Sequence, residues 1–432
     1  MATATDPEVN GAADARSKPP FLRRVRIRGY KSIAFCDVAL EPLTVLVGRN
    51  ASGKSNFLDA LGFLRDMISF NLPEAVRLHG GTRTVAHKGH ENAKMIEFSM
   101  DLELPPRKKM QLPRSIQYCI NIEIKGTEDV RIVSESLAEF LDGEWTPLAP
   151  SRADLFQVID RALPAEQAPA YLERMYPSSK PLAAMQRTGW LEADLGSPLT
   201  AVGIYNFVPD ELRMLQRSNP GGMLERSGRN LPDMLRRIHS QNPDAFHRIS
   251  AYISVITDQI LHVDAVSYGE FETTRFRMKT ARQGGQLEFD AASMSDGTLR
   301  VLAALVAAFQ VVPVRGSPSL VAIEEPETSL HPAAMHALVD ALDEATLRTQ
   351  ILLTTHSAEM LDNPTIQPEN IRVVQMIDGR TVIAPVDAAS VEIVKRRLNT
   401  LGGLERDNLL EADPDDVERQ QQLEAASAEP PK

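Results

Sequence analysis

The chain has 432 residues and a hydrophobic fraction of 43%, enough for one large α/β domain with an insertion or for two modest domains. Its formal net charge of −11 argues against a reader of nucleic acid that is basic overall, but leaves room for a local basic face, because phosphate contacts need only a patch. Cys36 and Cys119, the two cysteines, have no metal or redox spacing, no apolar run reaches roughly 18 residues, and the N-terminus lacks a signal-peptide core, so a reducing bacterial cytoplasm is the expected compartment.

Residues 1–20 are rich in Ala, Asp and Pro and are expected to be disordered. Order begins at Phe21. Val25, Ile27 and the stretch to Leu40 alternate as two strands of a meander. Leu43 to Val47 is a short apolar run closed by Gly48, a buried strand entering a glycine loop, and Phe57, Leu58, Leu61 and Leu64 then carry helical spacing. Met95 to Phe98 and Ile116 to Ile124 read as further strands, with Pro105 to Lys109 as the turn between them. Residues 131–280 are mixed and read as a mostly helical insertion broken by Pro and Gly. No internal repeat and no sustained heptads occur, which argues against a long coiled coil. Leu299 to Val312 is a helix, Leu320 to Ile323 a strand, Ala333 to Ala345 an amphipathic helix and Ile351 to Leu353 a buried strand. Such alternation predicts a parallel sheet. An α/β fold results, with residues 21–130 as an N-terminal lobe, 281–390 as a C-terminal lobe and 391–432 as an acidic tail or frayed helix.

Four segments carry chemistry. Gly48 to Ser55 satisfies G-x-x-x-x-G-K-S/T. Its glycines let backbone N–H groups face phosphate oxygens, Lys54 neutralises the β- and γ-phosphates, and the Ser55 hydroxyl is offered to Mg²⁺. The strand before and the helix after supply the context this needs. Leu320 to Ile323 runs into Glu324 and Glu325, two acids at a strand's carboxyl end, where α/β sheets bind ligands. Glu324 is expected to hold the metal and Glu325 to act as general base on the attacking water; the alternative is a solvated acidic turn. Ile351 to Thr355 leads to His356, which could hydrogen-bond the γ-phosphate or the water. Ser295 and Gly297 open the Leu299 helix and make an anion site with no lysine of its own, or a simple N-cap.

In order and spacing these segments resemble the ATP-binding-cassette ATPases. Gly48 to Ser55 is similar to Walker A, Ser295 to Thr298 to the signature motif, Leu320 to Glu325 to Walker B, Glu327 to Pro332 to the D-loop, and His356 to the switch histidine. Val25 to Ile33 resembles the first strand of RecF and SMC heads. Ile323 to Pro332 and Asn206 to Leu231 are similar to the AAA_21 and OLD-like bacterial ATPases. The resemblance implies an ABC-ATPase head, a P-loop fold with a mixed and parallel core sheet and an N-terminal antiparallel meander. It implies ATP and Mg²⁺ as ligands. Gly48, Asn50, Ser52, Gly53, Lys54, Ser55 and Asn56 would hold the nucleotide, Ser295 and Gly297 would complete its site from a second subunit, Ser55 and Glu324 would take the metal, and Glu325, His356 and Lys54 would be catalytic. Walker B here has Glu324 where the family usually has Asp. The sequence does not place the family's loop glutamine; Gln117 is a guess. The TOPRIM nuclease of OLD proteins is expected to be absent, and the D-x-D at Asp413 and Asp415, in a polar segment, is expected to be accidental.

Two functions follow from the resemblance. One is ATP hydrolysis by a homodimer with ATP between its heads, driving a process in DNA repair or anti-phage defence. The other is a slow, ATP-gated binding module that scaffolds a separately encoded effector such as a nuclease. A transporter subunit fits less well, and no membrane partner is expected. Direct DNA binding would use Arg23, Arg24, Arg26, Arg28 and Lys31, or Arg107 to Lys109, or Arg236 and Arg237; the plain alternative is solvated strand and loop faces.

Overall fold

The computed structural model describes residues 21–88, 94–104, 113–126, 129–141, 143–148, 154, 173–174, 176–181, 197–218, 222–280, 285–311 and 317–426. The expectations for residues 1–20 and for the Pro105 to Lys109 turn lie outside the described residues. The chain opens with strands β1 (Phe21–Tyr30), β2 (Ile33–Ala39) and β3 (Leu43–Val47), then helices α1 (Lys54–Ser69) and α2 (Leu72–Leu78). Next come β4 (Lys94–Leu104), β5 (Arg114–Lys125), β6 (Asp129–Leu141), β7 (Glu144–Pro147), β8 (Val202–Tyr205) and β9 (Gln216–Arg217). Helices α3 (Leu231–Gln241) and α4 (Pro243–Ile256) precede β10 (Ile260–Tyr268), β11 (Phe271–Lys279) and β12 (Gln286–Asp290). The last third holds α5 (Asp296–Phe309), β13 (Leu320–Glu324), α6 (Pro332–Ala345), β14 (Gln350–Thr355), β15 (Ile371–Ile377) and β16 (Arg380–Ala384), and closes with a helix at Pro414–Ala426.

Three sheets organise these elements. The first is an antiparallel meander in the order β2-β1-β4-β5-β6-β7. In β5, buried Ile116, Tyr118, Ile120, Ile122 and Ile124 alternate with half-buried neighbours, as a strand with one face on a core must. The core sheet runs β16-β15-β3-β14-β13-β8 and is parallel except for β16. Its central strands are buried on both faces, the condition for a continuous apolar run. Alternate residues serve different layers. Leu46, Leu320, Ala322 and Leu352 pack in the cluster that includes α1 and the meander, whereas Val45, Val47, Val321, Ile323, Ile351 and Leu353 pack with α5 and α6. The parallel strands share one carboxyl edge, which brings the ends of β3, β8, β13 and β14 side by side.

The structure departs from the sequence reading in two places. Between 131 and 280 the described residues carry long strands as well as helices: β6 extends the meander, β8 joins the core sheet, and β10, β11, β12 and β9 form a third sheet. The strands of the third sheet escape detection because its surface is laced by ion pairs, Arg275 to Glu288 and Asp290 and Arg277 to Asp264 and Glu288, which mask the apolar alternation. At the C-terminus, Pro414–Ala426 is a docked helix, where a tail or frayed helix was expected. Its inward residue is polar. Gln420 accepts from the Asp37 amide at 3.1 Å and donates to the Ile383 carbonyl at 2.9 Å, so no apolar stripe announces it. Asp413 caps this helix through the amides of Asp415 and Asp416, which gives the D-x-D a structural role.

Candidate functional site

The loop after β3 closes on itself and on β15 and β16. A Cβ at Gly48 would lie 2.1 Å from the Val374 carbonyl oxygen, so only glycine allows this approach. Gly53 has φ +108°, and a Cβ there would lie 1.9 Å from Thr381 Oγ1. Thr381 donates to the Ser52 carbonyl at 3.1 Å and shares a 2.7 Å hydrogen bond with Ser32, which accepts from the Asn56 amide at 2.6 Å. Gly53 caps α1 without a side chain, and the first turn of α1 has no acid. Its leading N–H groups are therefore free to meet an anion. Lys54 is buried and donates to the carbonyls of Gly48 and of Arg49, the latter at 3.1 Å. Burial pushes its ammonium below the ordinary lysine range, against the pull of Glu325, Glu405, Glu327 and Glu324. The Ser52 hydroxyl is buried with no partner among the described residues, a polar atom left for a ligand. Asn50 is exposed at the same loop.

The acids arrive from β13. Ser55 donates to Glu324 Oε2 at 2.7 Å, joining residues 269 apart in sequence. Glu325 has φ +42°, a left-handed conformation that a non-glycine residue holds only under constraint. The constraint is visible: its N–H donates to the Thr354 carbonyl at 3.1 Å and lies 3.2 Å from Thr354 Oγ1. The turn aims the Glu325 carboxylate at His356, whose Nδ1 lies 3.2 Å from Glu325 Oε1. Glu327 is buried and accepts from the Thr355 hydroxyl; burial pushes its carboxyl above the usual range.

The structure thus brings Gly48, Asn50, Ser52, Gly53, Lys54, Ser55, Asn56, Glu324, Glu325 and His356 to one edge, whereas Ser295 and Gly297 pack against other neighbours. Ser295 is the N-cap of α5, with its hydroxyl 3.3 Å from the Thr298 N–H, and a Cβ at Gly297 would lie 2.4 Å from the Ser329 carbonyl oxygen. Among the described residues no hydrogen bond joins Ser295–Thr298 to the loop at Gly48–Asn56. Arg213 grips this helix start, donating to the Met294 carbonyl at 3.0 Å and pairing with Asp296.

Sequence reasoning missed several neighbours. Asp59, one turn beyond Ser55 on the same face of α1, accepts from the Tyr30 hydroxyl at 2.6 Å, pairs with Lys31 and lies 3.0 Å from His79 Nδ1. The i, i+4 spacing was the available signal. Arg226, in the segment after β8, lies 3.3 Å from Glu324, and no local pattern marks it. Glu405 lines a cleft of about 400 Å³ beside the loop together with Gly48, Arg49, Asn50 and Asn408. Burial raises its carboxyl, while Lys54, His356 and Arg49 oppose the rise. Gln117 lies within β5 and donates to Asp101 at 3.0 Å. The basic cluster of β1 is neutralised: Arg23 pairs with Glu103, Arg24 with Asp37, Arg26 with Asp101, Arg28 with Glu97 and Lys31 with Asp59. Arg236 and Arg237 likewise pair with Glu272 and Asp233; Arg107 to Lys109 lie outside the described residues.

Among solved structures, the chain is similar to an SMC head bound to the C-terminal winged-helix domain of ScpA, at 14% identity and a TM-score of 0.50, over 86% of this chain and 99% of that one. It is also similar to an SMC head with an extended coiled coil from Pyrococcus furiosus (12% identity, TM-score 0.46, over 88% of this chain and 99% of that one). A third is the SMC head domain from Thermotoga maritima (15% identity, TM-score 0.39, over 85% and 99%). The first of these likenesses shows that the chain has the fold of an SMC head. The family described as "AAA domain, putative AbiEii toxin, Type IV TA system" matches residues 43–108 and 169–362, more than half of the chain and all four of the segments above. The chain belongs to this AAA_21 family of P-loop ATPases.

Proposed function

We propose that the chain is a Mg²⁺-dependent ATP hydrolase whose site is completed by a second copy of itself. The observation that carries this reading is the 2.7 Å bond between the Ser55 hydroxyl and the Glu324 carboxylate at the uncapped start of α1. Hydroxyl and carboxylate are hard oxygen donors of the kind magnesium takes beside phosphate. Among the described residues no three His, Cys, Asp or Glu side chains gather as a metal site; Ser55 and Glu324 would hold the ion weakly, and nucleotide phosphates would complete the shell. Magnesium, when bound, neutralises charge on the β- and γ-phosphates. Lys54 and the leading α1 amides bind the phosphates, and the unpartnered Ser52 hydroxyl adds a donor. Glu325 accepts the proton of the attacking water, and His356 holds that carboxylate in place.

These groups cover one side of the triphosphate. Charge grows on the γ-oxygens in the transition state, where a preorganised donor is worth most. Ser295 and the amides near Gly297 are such donors, supplied by the partner; an isologous pair then forms two sites. Hydrolysis would drive or gate a DNA-related process in repair or anti-phage defence, directly or through a separately encoded effector such as a nuclease. That last part rests on the resemblance, since the β1 arginines are already engaged. The test is steady-state phosphate release with and without Mg²⁺ and DNA. Metal-dependent release that Glu325→Gln removes while ATP binding persists supports hydrolysis. Binding without release supports the gated module instead.

A further inference from the structure

We propose that Arg226 is a positioning residue of the phosphate site, a built-in counter-ion that contends with divalent metal for Glu324. The proposal rests on the reading of Glu324 as the metal carboxylate. The two oxygens of Glu324 have different partners: Oε2 accepts from Ser55 at 2.7 Å and Oε1 from Arg226 Nη2 at 3.3 Å. A guanidinium therefore stands where a second cation would add its charge. Its other nitrogen, Nη1, lies 3.9 Å from Asp59 Oδ1, so a metal that takes Glu324 leaves Arg226 a second carboxylate within one small movement. The carboxylates of Glu324 and Asp59 are each 11% exposed and the Arg226 side chain 53%. The acids are thus fixed, and the arginine head is free to swing.

The segment that carries Arg226 is anchored. The Asn206 N–H, immediately after β8, donates to the Arg226 carbonyl at 2.9 Å, and the Val208 N–H donates to the Ser227 carbonyl at 3.2 Å. Gly228 follows with φ +86°, and a Cβ there would lie 2.5 Å from Leu212 Cδ2. The arginine is thereby held at the end of β8, next to β13, and rotation of its side chain suffices to release Glu324. A bare divalent ion meets this cation at close range. An ion arriving with a triphosphate brings negative charge that offsets it. Arg226 therefore makes metal binding depend on nucleotide.

The test is Mn²⁺ titration of the full chain without nucleotide, read as loss of the free-ion EPR signal. Arg226→Gln should bind Mn²⁺ about 30-fold more tightly than wild type, the size of one unit charge on a divalent ion about 4 Å away in a water-like dielectric. Arg226→Lys should stay near wild type, and adding Glu324→Gln to Arg226→Gln should erase the gain. Equal or weaker Mn²⁺ binding by Arg226→Gln overturns the proposal, as does a gain that survives the loss of Glu324. Mg²⁺-dependent binding of a fluorescent ATP analogue to wild type and Glu324→Gln runs alongside. If Glu324→Gln abolishes that dependence, the metal reading stands whatever Arg226 does. If it does not, the metal reading itself fails and the proposal falls with it.

Discussion

His79 offers a quantitative test of the charge network under the phosphate loop. It follows α2, and its Nδ1 and Nε2 lie 3.0 Å from Asp59 and 3.0 Å from Asp66, both on α1. Phe63 meets the ring edge-on at 5.5 Å between centroids. Ionised carboxylates only accept, so both ring nitrogens must donate and the ring is an imidazolium. Burial opposes that charge, yet the two carboxylates win and hold the pKa above the ordinary 6.5. Against the same burial, His79 helps hold Asp59 and Asp66 below the usual carboxylate range. A histidine raised in the fold contributes fully below its unfolded pKa and loses that contribution as pH rises through the folded value. In that window the native state binds up to one extra proton, so stability falls by up to about 1.4 kcal/mol per pH unit. For a chain of this size, unfolding entropy converts each kcal/mol into roughly 1 °C of Tm. His79→Gln leaves two buried carboxylates short of a cation, a loss on the order of 3–5 kcal/mol. Scanning fluorimetry should therefore show the variant melting below wild type by about 3–5 °C near pH 6. The gap should shrink by up to about 3 °C as pH rises by two units. A gap that stays flat, or widens with pH, would refute the doubly bonded imidazolium.

Other consequences concern the site itself. Lys54→Ala should abolish tight ATP binding in calorimetry, because it removes the main side-chain cation on the phosphates; unchanged affinity would remove Lys54 from the site. Glu325→Gln should keep ATP binding, lower turnover by about 10²–10⁴-fold and accumulate an ATP-bound dimer seen as a mass increase in light scattering. Turnover near the wild-type rate would strip Glu325 of the base role, and loss in Glu324→Gln alone would move that role one residue back. Lys54→Ala and Ser295→Arg should each be inactive, while mixed heterodimers recover one good site; heterodimers that form without recovery contradict the shared site. Gly53→Ala forces a side chain onto Thr381 at φ +108° and should cost about 1–3 kcal/mol in strain alone, read as a lower denaturant midpoint.

Much of the site was legible because its chemistry is local. The loop at Gly48–Ser55 must be a strand, a glycine turn and a helix in succession, and each leaves its own mark on the neighbouring residues. The same holds for Leu320 to Glu325 and for Ile351 to His356, where a buried parallel strand ends in polar groups. From those segments alone the P-loop class, the parallel sheet and the ten residues at its carboxyl edge were readable. The tertiary structure decided what long-range contact decides. It placed Arg226 on Glu324, His79 between Asp59 and Asp66, and Gln420 between Asp37 and Ile383. It also found β8 and the third sheet, whose surface is laced with cross-strand ion pairs and whose apolar residues meet neighbours distant in sequence. Hydropathy along a chain records burial of apolar surface in a regular element. It records nothing of a polar side chain whose partner lies on another element, and those pairings became visible only once the fold had brought the elements together.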